Sequence, residues 1–324
     1  MRLRRILEGI AAALALFALI SPAQAQGSFP AKPIRLVVGF PPGGGMDLSA
    51  RVYSAKLQES LGTPFVVENR PGGTGILAGE AVAKAEPDGY TLLVGASGQM
   101  TINPVILPKH PYDPVRDFAA ITTLAQFPMV IAVNPSFPAK SLAELVAIAR
   151  AKPGELAYSH GRATHQVAAE MFNQAVGITM RNIPYKGGAP AVNAAIAGDV
   201  PIVVVDSAAA SAQIRAGRLR VLAVTSAART PLVPDAPTVA ESGVPGYDIA
   251  VWAGLFAPAG TPEAVIARLY REALRVMQSQ DTKDKLKNIG MDPGGLAPEQ
   301  LTAMIKADIA KYAAIVKAAG IKQE

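Results

Sequence analysis

The sequence predicts an α/β protein built as two Rossmann-like lobes with a cleft between them. Three observations carry that prediction. Apolar, β-branched runs of strand length alternate with segments whose apolar residues recur at helical spacing. The junctions from strand to helix are rich in Gly and Pro. And 324 residues exceed what one doubly wound sheet ordinarily uses, so two lobes are the economical solution.

The elements follow in order. Ile34 to Phe40 is a strand, followed by the loop Pro41-Pro42-Gly43-Gly44-Gly45-Met46-Asp47 and a helix carrying Leu48, Val52 and Ala55 on one face. Phe65 to Glu68 is a strand, Asn69 to Thr74 a turn, Ile76 to Ala85 a helix and Thr91 to Gly95 a strand. Further strands are expected at Met129 to Val133, Leu156 to Ser159, Asn182 to Pro184, Pro201 to Val205 and Leu219 to Thr225. Helices are expected at Leu142 to Ala151, His165 to Val176, Ala189 to Ala197 and Ala208 to Ala216. Strands apolar throughout and separated by helices imply parallel sheets covered on both faces. Thr230 to Gly246 is a Pro-rich connection, and Ile249 to Phe256 a returning strand that holds Trp252, a residue more typical of a core than of a ligand platform. Two long helices close the chain, the last with a stripe at Leu301, Ile305, Ile309, Tyr312 and Val316.

Residues 1–25 read as a signal peptide. Arg2, Arg4 and Arg5 precede an apolar run from Ile10 to Ile20, and Ser21-Pro22-Ala23-Gln24-Ala25 supplies a small-x-small cleavage pattern. Such a run is too short for a stable bilayer span. The expectation is export to the periplasm, with a mature chain starting near Gln26. Removing three Arg and one Glu leaves a net charge of +4, a mild steering field for anions. No cluster of basic and aromatic residues suggests nucleic acid. With no Cys, a disulfide scaffold, a thiolate metal site and a Cys nucleophile are all excluded.

Several loops at strand ends carry polar chemistry. Phe40 to Asp47 enters a helix, where backbone N–H groups and the helix dipole suit a carboxylate or phosphate. Asp47 can also cap that helix. The loop matches neither common nucleotide fingerprint, and a tight structural turn explains it equally well. The second loop is Ser159-His160-Gly161-Arg162-Ala163-Thr164-His165. Arg162 suits a bidentate carboxylate pair, or a plain solvated surface; Thr164 is equally an N-cap. Tyr185-Lys186-Gly187 and Asp206-Ser207 also follow strands. His110, His160 and His165 lack metal-ligand spacing, and no nucleophile elbow surrounds any Ser. No metal, cofactor or catalytic residue is expected.

Six segments together resemble one family: Lys32 to Gly45 (KPIRLVVGFPPGGG), Val67 to Gly75 (VENRPGGTG), Pro87 to Leu93 (PDGYTLL), Ile183 to Gly188 (IPYKGG), Leu222 to Ser226 (LAVTS) and Trp252 to Pro262 (WAGLFAPAGTP). In this order they are similar to the Bug-type, TctC-like solute-binding proteins of tripartite tricarboxylate transporters, over essentially the whole mature chain. The resemblance implies a type II-like periplasmic binding protein that is not an enzyme. It would close two lobes on a di-, tri- or aromatic carboxylate and deliver it to membrane transporter subunits. It implies a division into lobe I over residues 26–127, lobe II over 128–248, and a return to lobe I over 249–324, with hinges near Gln126 to Pro128 and Tyr247 to Ile249. The ligand residues it implies are Phe40, Gly43, Gly44, Gly45, Met46 and Asp47, with His160, Gly161, Arg162, Ala163, Thr164 and His165. Ala96, Ser97, Tyr185, Lys186, Gly187, Asp206 and Ser207 complete the set. A monomer is expected.

Two departures from that family's pattern stand out. Met46 occupies a place usually held by a small polar residue, and adds polarisable apolar surface suited to an aromatic or larger apolar acid. The second loop is short and carries Arg162, from which a direct contact to a ligand's distal carboxylate is expected. Two further function classes fit the same cleft: an exported hydrolase or transferase, and a ligand-sensing partner of a membrane kinase.

Overall fold

A computed structural model of the protein describes residues 29–107 and 109–321. The proposed signal peptide lies outside the described residues. Every element belongs to the compact unit that begins at Lys32.

Two sheets organise that unit. The first comprises β1 (Ile34–Val38), β2 (Phe65–Asn69), β3 (Thr91–Ala96), β4 (Phe118–Phe127), β10 (Val251–Pro258) and β11 (Asp292–Pro293), in the order β11-β4-β10-β3-β1-β2. The second comprises β5 (Met129–Val133), β6 (Ala157–His160), β7 (Arg181–Pro184), β8 (Ile202–Asp206) and β9 (Arg220–Val224), in the order β7-β6-β8-β5-β9. Helices connect the strands: α1 (Gly45–Leu61), α2 (Ile76–Ala83), α3 (Asn103–Ile106), α4 (Leu142–Ala151), α5 (Ala163–Val176), α6 (Gly188–Ala197), α7 (Ser207–Arg215), α8 (Glu263–Gln278), α9 (Gln280–Asn288) and α10 (Pro298–Ala319).

The sheets are mixed, which corrects the expectation of parallel sheets. β1 runs parallel to β2 and β3, and β6 runs parallel to β7 and β8. β10 is antiparallel to β3 and β4, and β5 is antiparallel to β8 and β9. The reason is connectivity. A parallel neighbour needs a crossover helix, and the chain passes between the sheets without one. Pro128 alone separates β4 from β5, so β5 enters the second sheet reversed; β10 enters the first the same way after the Pro-rich connection. The two passages lie side by side, with Val251 opposite Phe127 and the Ile249 N–H donating to Thr225.

Local chemistry explains the helices that matter to the site. α1 stops at Gly62, whose φ of 66° is a left-handed conformation that glycine adopts freely. Its buried face carries Met46, Ala50, Tyr53 and Leu57, and the Tyr53 hydroxyl donates to the Leu124 carbonyl at 2.6 Å. α4 starts at Ser141, whose hydroxyl accepts from the Glu144 N–H. Trp252 and the α10 residues Leu301 and Ile305 are buried in one core cluster with Val37, Leu93 and Phe256. A second cluster, around Val130, Val203, Val205 and Val224, fills the other lobe. Among the described residues no helix is long and apolar enough to cross a membrane.

Candidate functional site

The carboxyl ends of β1, β3, β6 and β8 converge on one cleft, as open α/β sheets dictate. Its main chamber has a volume of about 890 Å³. A second chamber of about 620 Å³ adjoins it, and the two share Thr74, Gly161, Arg162 and Ala163 as common walls. A small recess of about 50 Å³ runs between Phe40, Ala96, Arg162, Thr164 and Val251.

Close backbone approaches set this geometry. A Cβ on Gly39 would stand 2.5 Å from the Gly75 Cα, and one on Gly161 would stand 2.3 Å from the Gly187 carbonyl carbon. Only glycine lets these neighbouring strand-end loops touch. Thr74 closes the same wall in a left-handed conformation, with φ 53°. Such a conformation is costly for a β-branched residue. Its hydroxyl accepts from the Asn103 side-chain amide at 3.0 Å, which ties the turn to α3.

Asp47 lies behind the first loop. Its carboxylate accepts from the Gly43 N–H at 2.8 Å, the Arg51 Nε at 2.9 Å and the Asn69 amide at 2.9 Å. Burial opposes its ionisation, but these donors hold it below the usual carboxylate range. It is buried and lines no chamber, so its role is to latch the glycine loop. Among the described residues no side chain caps α1 at Gly44 or α5 at Arg162, leaving the first-turn N–H groups of both helices without such a partner there.

The second loop is an electrostatic network. Arg162 Nη2 donates to Asp206 Oδ2 at 2.5 Å. The Gly161 N–H donates to His165 Nδ1, so a neutral His165 carries its hydrogen on Nε2. That nitrogen sits 3.2 Å from Asp206 Oδ1, close enough to attract but off the line of a hydrogen bond. Burial opposes ionisation of Asp206, yet Arg162 and His165 hold its carboxyl well below the ordinary range. Burial, and then the nearby His165, push His160 down to about 4. His160 Nδ1 meets the Arg162 carbonyl at 3.2 Å and, since a carbonyl only accepts, it carries the hydrogen.

The profile of the tripartite tricarboxylate transporter family receptor (TctC) matches residues 49–321. The chain belongs to that receptor family. The protein BugT of Bordetella pertussis is 34% identical over 99% of this chain and 99% of its own. Among solved structures, Rpa4515 of R. palustris with adipate is 36% identical, with a TM-score of 0.79 over 91% of this chain and 99% of that one. The periplasmic binding protein BugD is 30% identical, with a TM-score of 0.74 over 91% of this chain and 100% of that one.

In this TctC-family receptor the site residues expected from sequence divide into three groups. Phe40, Gly43, Gly44, Gly45, Met46, Gly161, Arg162, Ala163 and Asp206 line the main chamber. Ala96 and Thr164 reach the recess, and His160 and Tyr185 the second chamber. Asp47, Ser97, His165, Lys186, Gly187 and Ser207 line none of the three. Ser97 and Ser207 are buried, and Lys186 is exposed. Arg162 is not the free guanidinium the sequence suggests, because Asp206 holds it. Ser159 is no nucleophile either: its hydroxyl donates to the Ala191 carbonyl at 2.9 Å and is fully buried.

Sequence reasoning missed part of the wall. Phe127, Val251, Ile289 and Met291 give the main chamber an apolar side, and Thr74 lines all three spaces. Thr74 had a signal, since it sits in the glycine-rich run from Gly72 to Gly75. Ile289 and Met291 had none; they reach the cleft through the packing of α9 against α1 and α8 and the pairing of β11 with β4.

Proposed function

We propose that this TctC-family receptor is exported to the periplasm and captures a small organic carboxylate in the cleft. It would then deliver the ligand to membrane transporter subunits without transforming it. The observation that carries the reading is that α1 and α5 both begin, uncapped by side chains, in the walls of one chamber of about 890 Å³. Two helix N-termini supply oriented N–H donors and partial positive charge for an anion. The adipate bound by the related Rpa4515 supports a carboxylate as that anion. The division into lobes at residues 128 and 249, with hinge motion where the two passages lie side by side, fits delivery by opening and closing. Residues 1–25 carry the export signal in this reading, and the receptor works as a monomer.

A thermal-shift panel of di- and tricarboxylates, acidic amino acids and aromatic acids, on protein stripped of ligand by unfolding and refolding, tests this. A ligand at about 100 times its dissociation constant adds about 2.7 kcal/mol, a shift of a few degrees for a chain of this size. A hit that is recovered unchanged after long incubation supports the receptor. Silence across the panel, or turnover of the bound acid, rejects it.

A further inference from the structure

The charges in the cleft are already spent. Among the described residues Arg162 and Asp206 are the only side chains of formal charge lining the main chamber, and they are paired with each other. The second chamber adds Asn103, His160, Gln166, Asn182 and Tyr185, with Arg162 again the one formal charge among the described residues. His160, pushed down to about 4, is uncharged at neutral pH. The remaining positive potential is concentrated at one place. Arg162 is the N-cap of α5 and lines the chamber where α1 also begins, so what positive potential remains there comes from the two helix starts. Phe127, Val251, Ile289 and Met291 build the apolar wall of the same chamber. Beside that wall the chamber offers a second carboxylate no further cation among the described residues, only the uncharged side chains of Ser211 and Asn288, which repay its desolvation less well than a charged partner does.

Resting on the receptor reading above, we propose that this cleft selects acids with a single carboxylate and an uncharged, largely apolar aliphatic or aromatic body. Asp206 is the residue that enforces the choice, by cancelling the charge of Arg162. The donors grip one carboxylate; the apolar wall receives the body of the acid.

Paired probes that share one body test this by calorimetric titration of the ligand-stripped protein. The pairs are hexanoate with adipate and benzoate with terephthalate. Within each pair the monoacid is expected to bind at least about tenfold tighter, one charge-assisted hydrogen bond's worth of discrimination. Ile289→Arg, on a partly exposed wall position, places a cation at the apolar side and is expected to tighten terephthalate about tenfold while leaving benzoate unimproved. Diacids binding as tightly as their monoacid partners to the unmodified protein would overturn the selection and leave the receptor reading intact. If no probe and no member of the wider panel binds, the receptor reading itself falls. The comparison on the unmodified protein decides the matter even if the variant fails to fold.

Discussion

At the scale of single residues, Asp47 and His160 do their work without lining the main chamber. Asp47 holds the glycine loop through three donors, one of them the Gly43 N–H. Asp47→Ala is expected to cost about 2 kcal/mol, the range of a buried hydrogen bond to a charged group. Urea unfolding measures that loss, and ligand affinity should fall with it as the loop relaxes. His160 makes stability depend on pH. Its folded value of about 4 lies below the ordinary value near 6.5, so the unfolded chain binds the extra proton between those limits. Stability therefore rises with pH through that window and is fully present above about pH 6.5. It should fall by a few kcal/mol as pH drops toward 4, and unfolding of His160→Gln should lose most of that slope. Asp47 and Asp206, both held below the usual range, contribute stability present above about pH 4 and lost in stronger acid.

At the scale of elements, the loops at strand ends carry the site, and their contacts explain what the sequence shows. The Gly-rich loop before α1 and the loop before α5 were legible because strand, glycine turn and helix pattern are written in adjacent residues. β4 was not: Phe118 to Phe127 is rich in Ala and Thr, and its place beside β10 comes from tertiary pairing. The same holds for Ile289 and Met291, which the chain brings to the cleft from far along the sequence. Asp47 was expected at the ligand because it sits in the right loop, but its side chain points into a buried latch. The clearest prediction here concerns Gly161. A methyl group there collides with the backbone at Gly187 and must push the β6–α5 and β7–α6 loops apart. Gly161→Ala should cost about 1–3 kcal/mol in thermal or urea unfolding and weaken binding besides.

At the scale of the whole molecule, two mixed sheets are joined where β4 runs into β5 and the chain returns to β10. Pro128 sits between β4 and β5, and its carbonyl accepts from the Ser207 N–H at 2.8 Å. The first passage is thereby tied to the start of α7, a wall of the cleft. Closure on a ligand should appear as a smaller radius of gyration in solution scattering, and Pro128→Gly should blunt that compaction. The most direct test of the central claim, that a carboxylate sits between the starts of α1 and α5, is a titration of the Ala163→Asp variant beside the unmodified protein. A carboxylate in the first turn of α5 suits the helix dipole, so the fold should keep its melting temperature. The same charge faces the chamber, and binding of the best carboxylate should weaken at least about a hundredfold by like-charge repulsion. Unchanged affinity in a folded Ala163→Asp protein would contradict the account.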